Sequence, residues 1–291
     1  MSYDPMPRQH QDLTDVMARR YGRFTDRMRG GDDNAAAEEF ARLCHSLRRS
    51  DIRVSQHVMT AFMEGWLDLF WQCRRYDLML AAAEDAVELF GEEAIWAFAR
   101  GEALFNLGRF DEARQALEPL TTEDFDEPML YYLLGCLAER GDTTAASATA
   151  ERFFQAAYQL GPKQFSVPTT MREDEVVAEF EQCVHDLPEK LIWAVREMAI
   201  YVSALPSDEL IHSIDPPLDP LALGVFLGAA GEGATGPWVA DQPSILLFHK
   251  NIAKLSGDVE ALEDELRRTL FHEIGRHLGL DDDQLEDLGL A

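Results

Sequence analysis

The chain has 291 residues, of which 46% are hydrophobic and 27% charged, so a disordered or collagen-like protein is excluded and one or two domains are expected. No apolar stretch reaches the roughly 18–20 residues that a membrane span needs, and residues 1–24 lack the apolar core of a secretory signal, so we expect a cytoplasmic protein. The formal net charge is −27. Such an acidic surface repels phosphate backbones and anionic lipids, so we expect no nucleic-acid partner and no membrane partner.

Residues 1–34 read as an N-terminal extension, and residues 35–165 read as consecutive amphipathic helices with short breaks. A spacing of 34 residues recurs in the helical region. Arg75-Tyr76-Asp77 returns as Arg109-Phe110-Asp111, and Gly101 returns as Gly135. Glycine at these positions lets the two helices of a hairpin approach each other closely. The pattern therefore predicts antiparallel helix pairs.

This region resembles the tetratricopeptide repeat, whose period is 34 residues. The resemblance covers roughly residues 60–160, and the first helix pair is weaker. Leu67 stands where a first glycine is expected, and Thr144 replaces the aromatic residue of the last unit. An irregular helical bundle with a chance spacing is the alternative. The resemblance implies binding of a protein or peptide partner in a concave groove.

The composition changes at residues 160–174, which contain two prolines and many polar residues and form the predicted domain boundary. Residues 172–291 read as an α+β domain, so the predicted fold class is α+β overall, with helical repeats followed by this smaller domain. The expected elements are a helix over 172–187, strands over 198–205, 221–229 and 244–250, a short helix capped by Ser207, and a long helix from Asp258 to about Leu278.

The four cysteines lie far apart in the sequence, and none forms a Cys-x-x-Cys pair. Each stands beside apolar residues in a helical-looking context. This favours buried free thiols over metal ligands or disulfides for Cys44, Cys73, Cys136 and Cys183.

The long last helix contains the candidate chemistry, in the segment FHEIGRHLGLDDD. In a zinc-protease helix, two histidines four residues apart are offset by about 40° and reach one metal ion. The glutamate after the first histidine acts as general base on the zinc-bound water. His272 and Glu273 match the beginning of such a motif, Gly279 matches its glycine, and Asp282 matches its last ligand.

The surroundings of this motif resemble the mini-zincin family of small bacterial zincin-like metallopeptidases, over about residues 175–291. Residues 180–202 are similar to the family's opening helix, proline break and first strand, residues 216–229 to its proline-rich turn and second strand, and residues 245–252 to its edge strand. The family motif is His-Glu-x-x-His-x-x-Gly-x-x-Asp. The resemblance implies a zinc cofactor, with His272 and Asp282 as metal ligands and Glu273 as the catalytic residue.

The motif departs from the family at Arg276, which stands in the position of the second metal-binding histidine. His277 follows one residue too late, because a residue at i+5 points about 140° away from His272. The apolar stripe of this helix supports the same conclusion. With Leu270 at 0° around the helix axis, Arg276 lies at about 240° and His277 at about 340°. We therefore expect a buried His277 and an exposed Arg276. The stripe consists of Val259, Leu262, Leu266, Leu270 and Ile274.

Two hypotheses follow for the function. An arginine cannot bind zinc, because its guanidinium is always protonated, but it can take the place of the cation beside Glu273 and Asp282. The protein is then a pseudoenzyme that acts by binding through its helical repeats. The alternative is an active zinc-dependent metallopeptidase with an unusual ligand set, completed by His249, Asp281 or Asp283.

Overall fold

A computed structural model of the chain describes Gly22 and residues 56–122, 125–169, 173–185, 187, 192, 199–213, 216–227, 244–255 and 258–278. The chain divides into two units, residues 1–125 and 126–291. The predicted domain limits at residues 34, 165 and 172 remain predictions. None of the helices in the described ranges combines the length and apolar character that crossing a bilayer requires.

The described part of the first unit is helical. Its elements are α1 (Gln56–Gln72), α2 (Tyr76–Phe90), α3 (Ala94–Asn106), α4 (Phe110–Leu117) and a 3₁₀ turn at Glu118–Thr122. Each helix packs on the next one along the chain. Large apolar side chains fill the space between the helices and are at most 1% exposed, as Trp66, Phe70, Trp96, Phe105 and Leu117 show.

The two turns inside this unit repeat their backbone conformation at the 34-residue spacing. Arg74 and Gly108 both adopt a positive φ, of 55° and 72°. The residues that follow begin α2 and α4 with nearly the same angles, φ −91° and ψ 67° at Arg75 and φ −89° and ψ 62° at Arg109. The spacing seen in the sequence is thus also a spacing of turn geometry. Its assignment to the tetratricopeptide family remains a prediction.

The second unit begins with a helix pair, α5 (Pro128–Glu139) and α6 (Thr144–Leu160). Its other described elements are α7 (Glu173–His185), β1 (Ala199–Ser203), α8 (Asp208–His212), β2 (Gly224–Leu227), β3 (Ser244–Phe248), α9 (His249–Ala253) and α10 (Val259–Leu278). The described residues before 160 contain no strand. The predicted fold class, helices followed by a small α+β region, is confirmed.

Gly101 and Gly135 lie where paired helices come close together. A Cβ atom at Gly101 would overlap the side chain of Leu117 on the partner helix α4, and a Cβ atom at Gly135 would lie 2.6 Å from Cε1 of Phe154 on α6. Such separations are too short for carbon atoms that are not bonded. The predicted close approach at both glycines is confirmed.

The sheet has the strand order β1-β3-β2. β3 runs parallel to β1, with Ser244 opposite Ala199, and antiparallel to β2, with Leu247 opposite Gly224. Both faces of β3 are covered, since Ile245, Leu247 and Phe248 are all 0% exposed. The expectation of an edge strand here was wrong: β3 is the middle strand, and a continuous apolar run is typical of a strand buried on both faces.

A buried ion pair connects α5 to the region that follows β3. The side chain of Lys254, just after α9, is only 1% exposed, and its Nζ lies 2.5 Å from Oε2 of Glu139 at the end of α5. The same Nζ donates hydrogen bonds to Oδ1 of Asn251 at 3.0 Å and to the carbonyl of Lys250 at 3.2 Å. Two hydrogen bonds and one ion pair therefore compensate the charge of the buried ammonium, which a buried lysine requires.

The cysteines differ in environment. Cys136 and Cys183 are buried, as the sequence predicted. Burial raises the pKa of the Cys136 thiol to about 12. Cys73 is exposed, so the prediction was wrong there, because Cys73 lies at the end of α1 where the chain turns into α2. Cys44 lies outside the described residues.

Candidate functional site

Helix α10 carries the candidate site, and its first turn is capped as the sequence predicted. The Asp258 carboxylate accepts a hydrogen bond from the backbone N–H of Ala261 at 2.8 Å, and its carbonyl accepts from Leu262 at 3.1 Å. The predicted apolar stripe is buried at Leu262, Leu266, Leu270 and Ile274, each at most 1% exposed. The side chain of Val259 lies outside what the structure describes. The stripe packs against β2 and β3.

His272 and Glu273 differ in exposure although they are adjacent. His272 is half-buried, whereas Glu273 is 6% exposed. The difference follows from the helix, because successive residues are rotated by about 100° and Glu273 lies closer to the face that packs on the sheet. Both catalytic carboxylates in clefts and structural carboxylates are buried in this way.

Gly224 on β2 lies beside the side chains of Leu247 and Glu273. A Cβ atom at Gly224 would lie 2.9 Å from Cδ2 of Leu247 and 3.4 Å from Cγ of Glu273. The distance to Leu247 is too short and the distance to Glu273 is an ordinary van der Waals contact, so Glu273 lies directly against this strand. Gly224 was not among the predicted site residues, although an isolated glycine inside a predicted strand is a signal of close approach.

Thr269 is a second residue near the motif that was not among the predicted site residues. It lies one helical turn before Glu273, is 6% exposed, and its Oγ1 is buried without a hydrogen-bond partner among the described residues. The i, i+3 and i+4 spacing places Thr269 on the same side of α10 as His272 and Glu273. Its spacing from His272 and Glu273 was the available signal.

The helix continues without a break through Leu278. Arg276 and His277 thus have helical backbone, and the angular offsets of about 40° and 140° from His272 apply to them. The structure does not describe their side chains, so the predicted burial of His277 and exposure of Arg276 remain predictions. Gly279, Asp281, Asp282 and Asp283 lie outside the described residues, and so does any contact of Asp282 with Arg276.

The described side chains do not by themselves fit a zinc ion. No three His, Cys, Asp or Glu side chains within the described ranges come together as a metal site. His272 and Glu273 are rotated by about 100° from each other, so only the imidazole can face an ion in the position the motif requires. His249, considered as a substitute ligand, is the first residue of α9 and not part of a strand.

Comparison with known families agrees with the resemblance in the sequence. Residues 195–290 match the model of the zincin-like metallopeptidase family, a range that includes the sheet and α10. No curated protein matches the chain. The C-terminal part of the chain therefore contains a zincin-like metallopeptidase domain.

Proposed function

We propose that the zincin-like metallopeptidase domain of this chain has a degenerate metal site and acts by binding, as a pseudoenzyme. The observation that carries the proposal is Arg276, a cation at the position where the family motif has its second metal-binding histidine. The unbroken course of α10 through Leu278 supports it. In a continuous helix His277 cannot replace the missing ligand, because it points about 140° away from His272.

The electrostatics of the position favour the same conclusion. A guanidinium beside a zinc ion repels it, and the desolvation of two cations in one cleft adds to the cost. In the absence of metal, we expect the guanidinium of Arg276 to neutralise the carboxylates of Glu273 and Asp282. The arginine then stabilises the geometry of the cleft that the metal stabilises in an active enzyme.

The helical region supplies the binding function in this proposal. Helix pairs with repeated turn geometry form extended surfaces that bind peptide segments or partner proteins. We propose a protein or peptide partner for this region.

Zinc affinity measured on three matched proteins tests the proposal. The wild type should bind zinc weakly, and Arg276→His should bind it at least about 100-fold more tightly, since a second imidazole then lies one turn from His272 on the same face. Arg276→Gln is the matched control: it removes the cation without adding a ligand and should gain about tenfold at most. Peptide cleavage is expected only from Arg276→His with zinc.

Two results would contradict the proposal. One is a wild type that cleaves casein or a peptide with zinc and loses that activity in Glu273→Gln, which is the result of an active enzyme with an unusual ligand set. The other is an Arg276→His protein that folds normally and binds zinc no better than Arg276→Gln.

A further inference from the structure

A pocket of about 450 Å³ opens in the second unit between α6 and α9. One wall is formed by residues of α6 with short side chains, including Thr144 and Ser147, and the opposite wall by the start of α9 with His249 and Lys250. The volume is in the range of sites that hold small organic ligands. We call it the α6–α9 pocket.

The wall that contains Lys250 is held in place by a buried polar network. Lys254, one turn further along, pairs with Glu139, which itself lines the pocket. Asn251 donates hydrogen bonds from Nδ2 to the carbonyls of Pro220 at 2.9 Å and Ala222 at 2.7 Å. Both α9 and the end of α5 are therefore fixed to their neighbours, which preorganises this wall of the pocket.

Two opposite charges on the facing walls are available to a ligand. The ammonium of Lys250 has one hydrogen-bond acceptor among the described residues, the carbonyl of Glu139 at 3.4 Å, and no ion pair there. Glu151 on α6 is an exposed side chain at the rim of the pocket lining. Both residues line the pocket. Since Glu139, the other carboxylate of the lining, is paired with Lys254, Lys250 and Glu151 are the cation and the anion that remain for a ligand.

The remaining lining is suited to the body of a small peptide or amino acid. Phe154 and Pro168 provide apolar surface, and the hydroxyls of Thr144, Ser147 and Thr169 provide hydrogen bonds. A ligand with a single charge could pair with only one of Lys250 and Glu151 and would leave the other without a counter-charge. A ligand with an ammonium and a carboxylate joined by a short, partly apolar body satisfies both.

We infer that the α6–α9 pocket binds a small zwitterion, a free α-amino acid or a short peptide. The ligand's carboxylate pairs with Lys250, its ammonium pairs with Glu151, and its side chain lies against Phe154. The inference concerns a site on α6 and α9, outside the His272–Glu273 motif, and it holds whether or not the motif binds zinc.

Titration calorimetry on the full chain at pH 7 tests it, with phenylalanine, Ala-Phe, N-acetyl-Ala-Phe and Ala-Phe amide as probes. Saturable binding is expected for the probes with two free charges, and phenylalanine against Ala-Phe distinguishes an amino-acid site from a peptide site. Blocking either terminus should weaken binding at least about tenfold, because one charge-assisted contact is lost. Lys250→Met and Glu151→Gln should have the same effect.

Lys163→Met and Glu181→Gln are matched controls on exposed residues that do not line the pocket, and Lys250→Arg keeps the charge; all three should bind normally. Glu273→Gln should also bind normally, which separates this pocket from the motif on α10. The inference is wrong if no probe binds at concentrations up to about 10 mM. It is also wrong if blocked and free probes bind equally, or if Glu273→Gln abolishes binding while Lys250→Met does not.

Discussion

The helix pairs α3–α4 and α5–α6 each contain one of the two glycines that are 34 residues apart, Gly101 and Gly135. The two pairs belong to different units of the molecule. In both pairs a glycine allows the helices to approach closely, Gly101 against Leu117 and Gly135 against Phe154. In the first unit the neighbouring turns also share one conformation, and their ion pairs are exposed. The second pair instead contributes Glu139 to a buried ion pair with Lys254, beside the sheet.

The comparison teaches that a shared local pattern does not fix what a helix pair packs against. Gly135 continues the spacing of Gly101, yet α5–α6 forms one unit with the zincin-like region. Arg140 reinforces this connection, donating a hydrogen bond to the Pro206 carbonyl at 2.8 Å and pairing with Asp208 at 2.7 Å. The helix pair is therefore structurally part of the unit that carries the candidate site.

The largest effect is expected from breaking the buried pair. Lys254→Met should lower the free energy of unfolding by about 3–5 kcal/mol, because Glu139 is then left as a buried charge without its cation. Lys163→Met, at an exposed lysine, is the matched control and should change it by less than about 0.5 kcal/mol. Urea denaturation followed by circular dichroism measures both.

A second variant sharpens this test. Lys254→Met combined with Glu139→Leu should recover a large part of the lost stability, since replacing both partners of a buried pair by apolar residues is often neutral. A loss below about 1 kcal/mol in Lys254→Met alone would show that the pair does not hold α5 to the sheet region.

A smaller loss is expected at the two glycines. Gly101→Ala and Gly135→Ala should each destabilise the protein by about 1–3 kcal/mol, because the new Cβ atom overlaps Leu117 or Phe154, and this exceeds the gain of up to about 1 kcal/mol in helix propensity. Denaturation midpoints measure the loss.

The double variant Gly101→Ala with Leu117→Val tests the cause. Shortening Leu117 makes room for the Cβ atom, so the double variant should lose at least about 0.5 kcal/mol less than the sum of the two single losses. Additive losses would mean that the contact with Leu117 is not what excludes a side chain at residue 101.

The smallest effect is expected at the exposed pair of the first unit. Hydrogen bonding to Arg75 lowers the pKa of Asp77. A lowered pKa in the folded state gives stability that is present above the unfolded-state pKa and is lost as the pH falls through the folded-state pKa. Asp77→Asn should therefore cost at most about 0.5 kcal/mol at pH 7, since the pair is exposed, and less at pH 3. Thermal unfolding at the two pH values measures the cost of Asp77→Asn. A larger cost at pH 3 than at pH 7 would contradict a lowered pKa of Asp77.

Much of the fold could be predicted from local sequence. The Ser207 cap is confirmed by its hydrogen bond from the Leu210 N–H at 3.2 Å, and the stripe through Leu270 is buried, because caps and helical periodicity depend on residues within a few positions. The burial of Lys254 could not be predicted, since it depends on Glu139, which is distant in the sequence. The middle position of β3 could have been predicted from its continuous apolar run.

The site could be predicted only in part for the same reason. The spacing of His272, Glu273 and Arg276 is local, and a continuous helix makes their relative directions calculable. The contact of Glu273 with Gly224 joins two elements that are distant in the sequence, and no local pattern specifies which strand a helix residue faces. Tertiary packing, and not the motif, determines how deeply Glu273 is buried.

The zinc content of the purified wild-type protein, measured by elemental analysis after dialysis against zinc-containing and then zinc-free buffer, tests the central claim most directly. The claim is that Arg276 leaves the domain without a functional metal site. We expect well under one zinc ion per chain, and no change in that content in Glu273→Gln. One zinc ion per chain in the wild type, retained through dialysis and lost in His272→Ala, would contradict the claim.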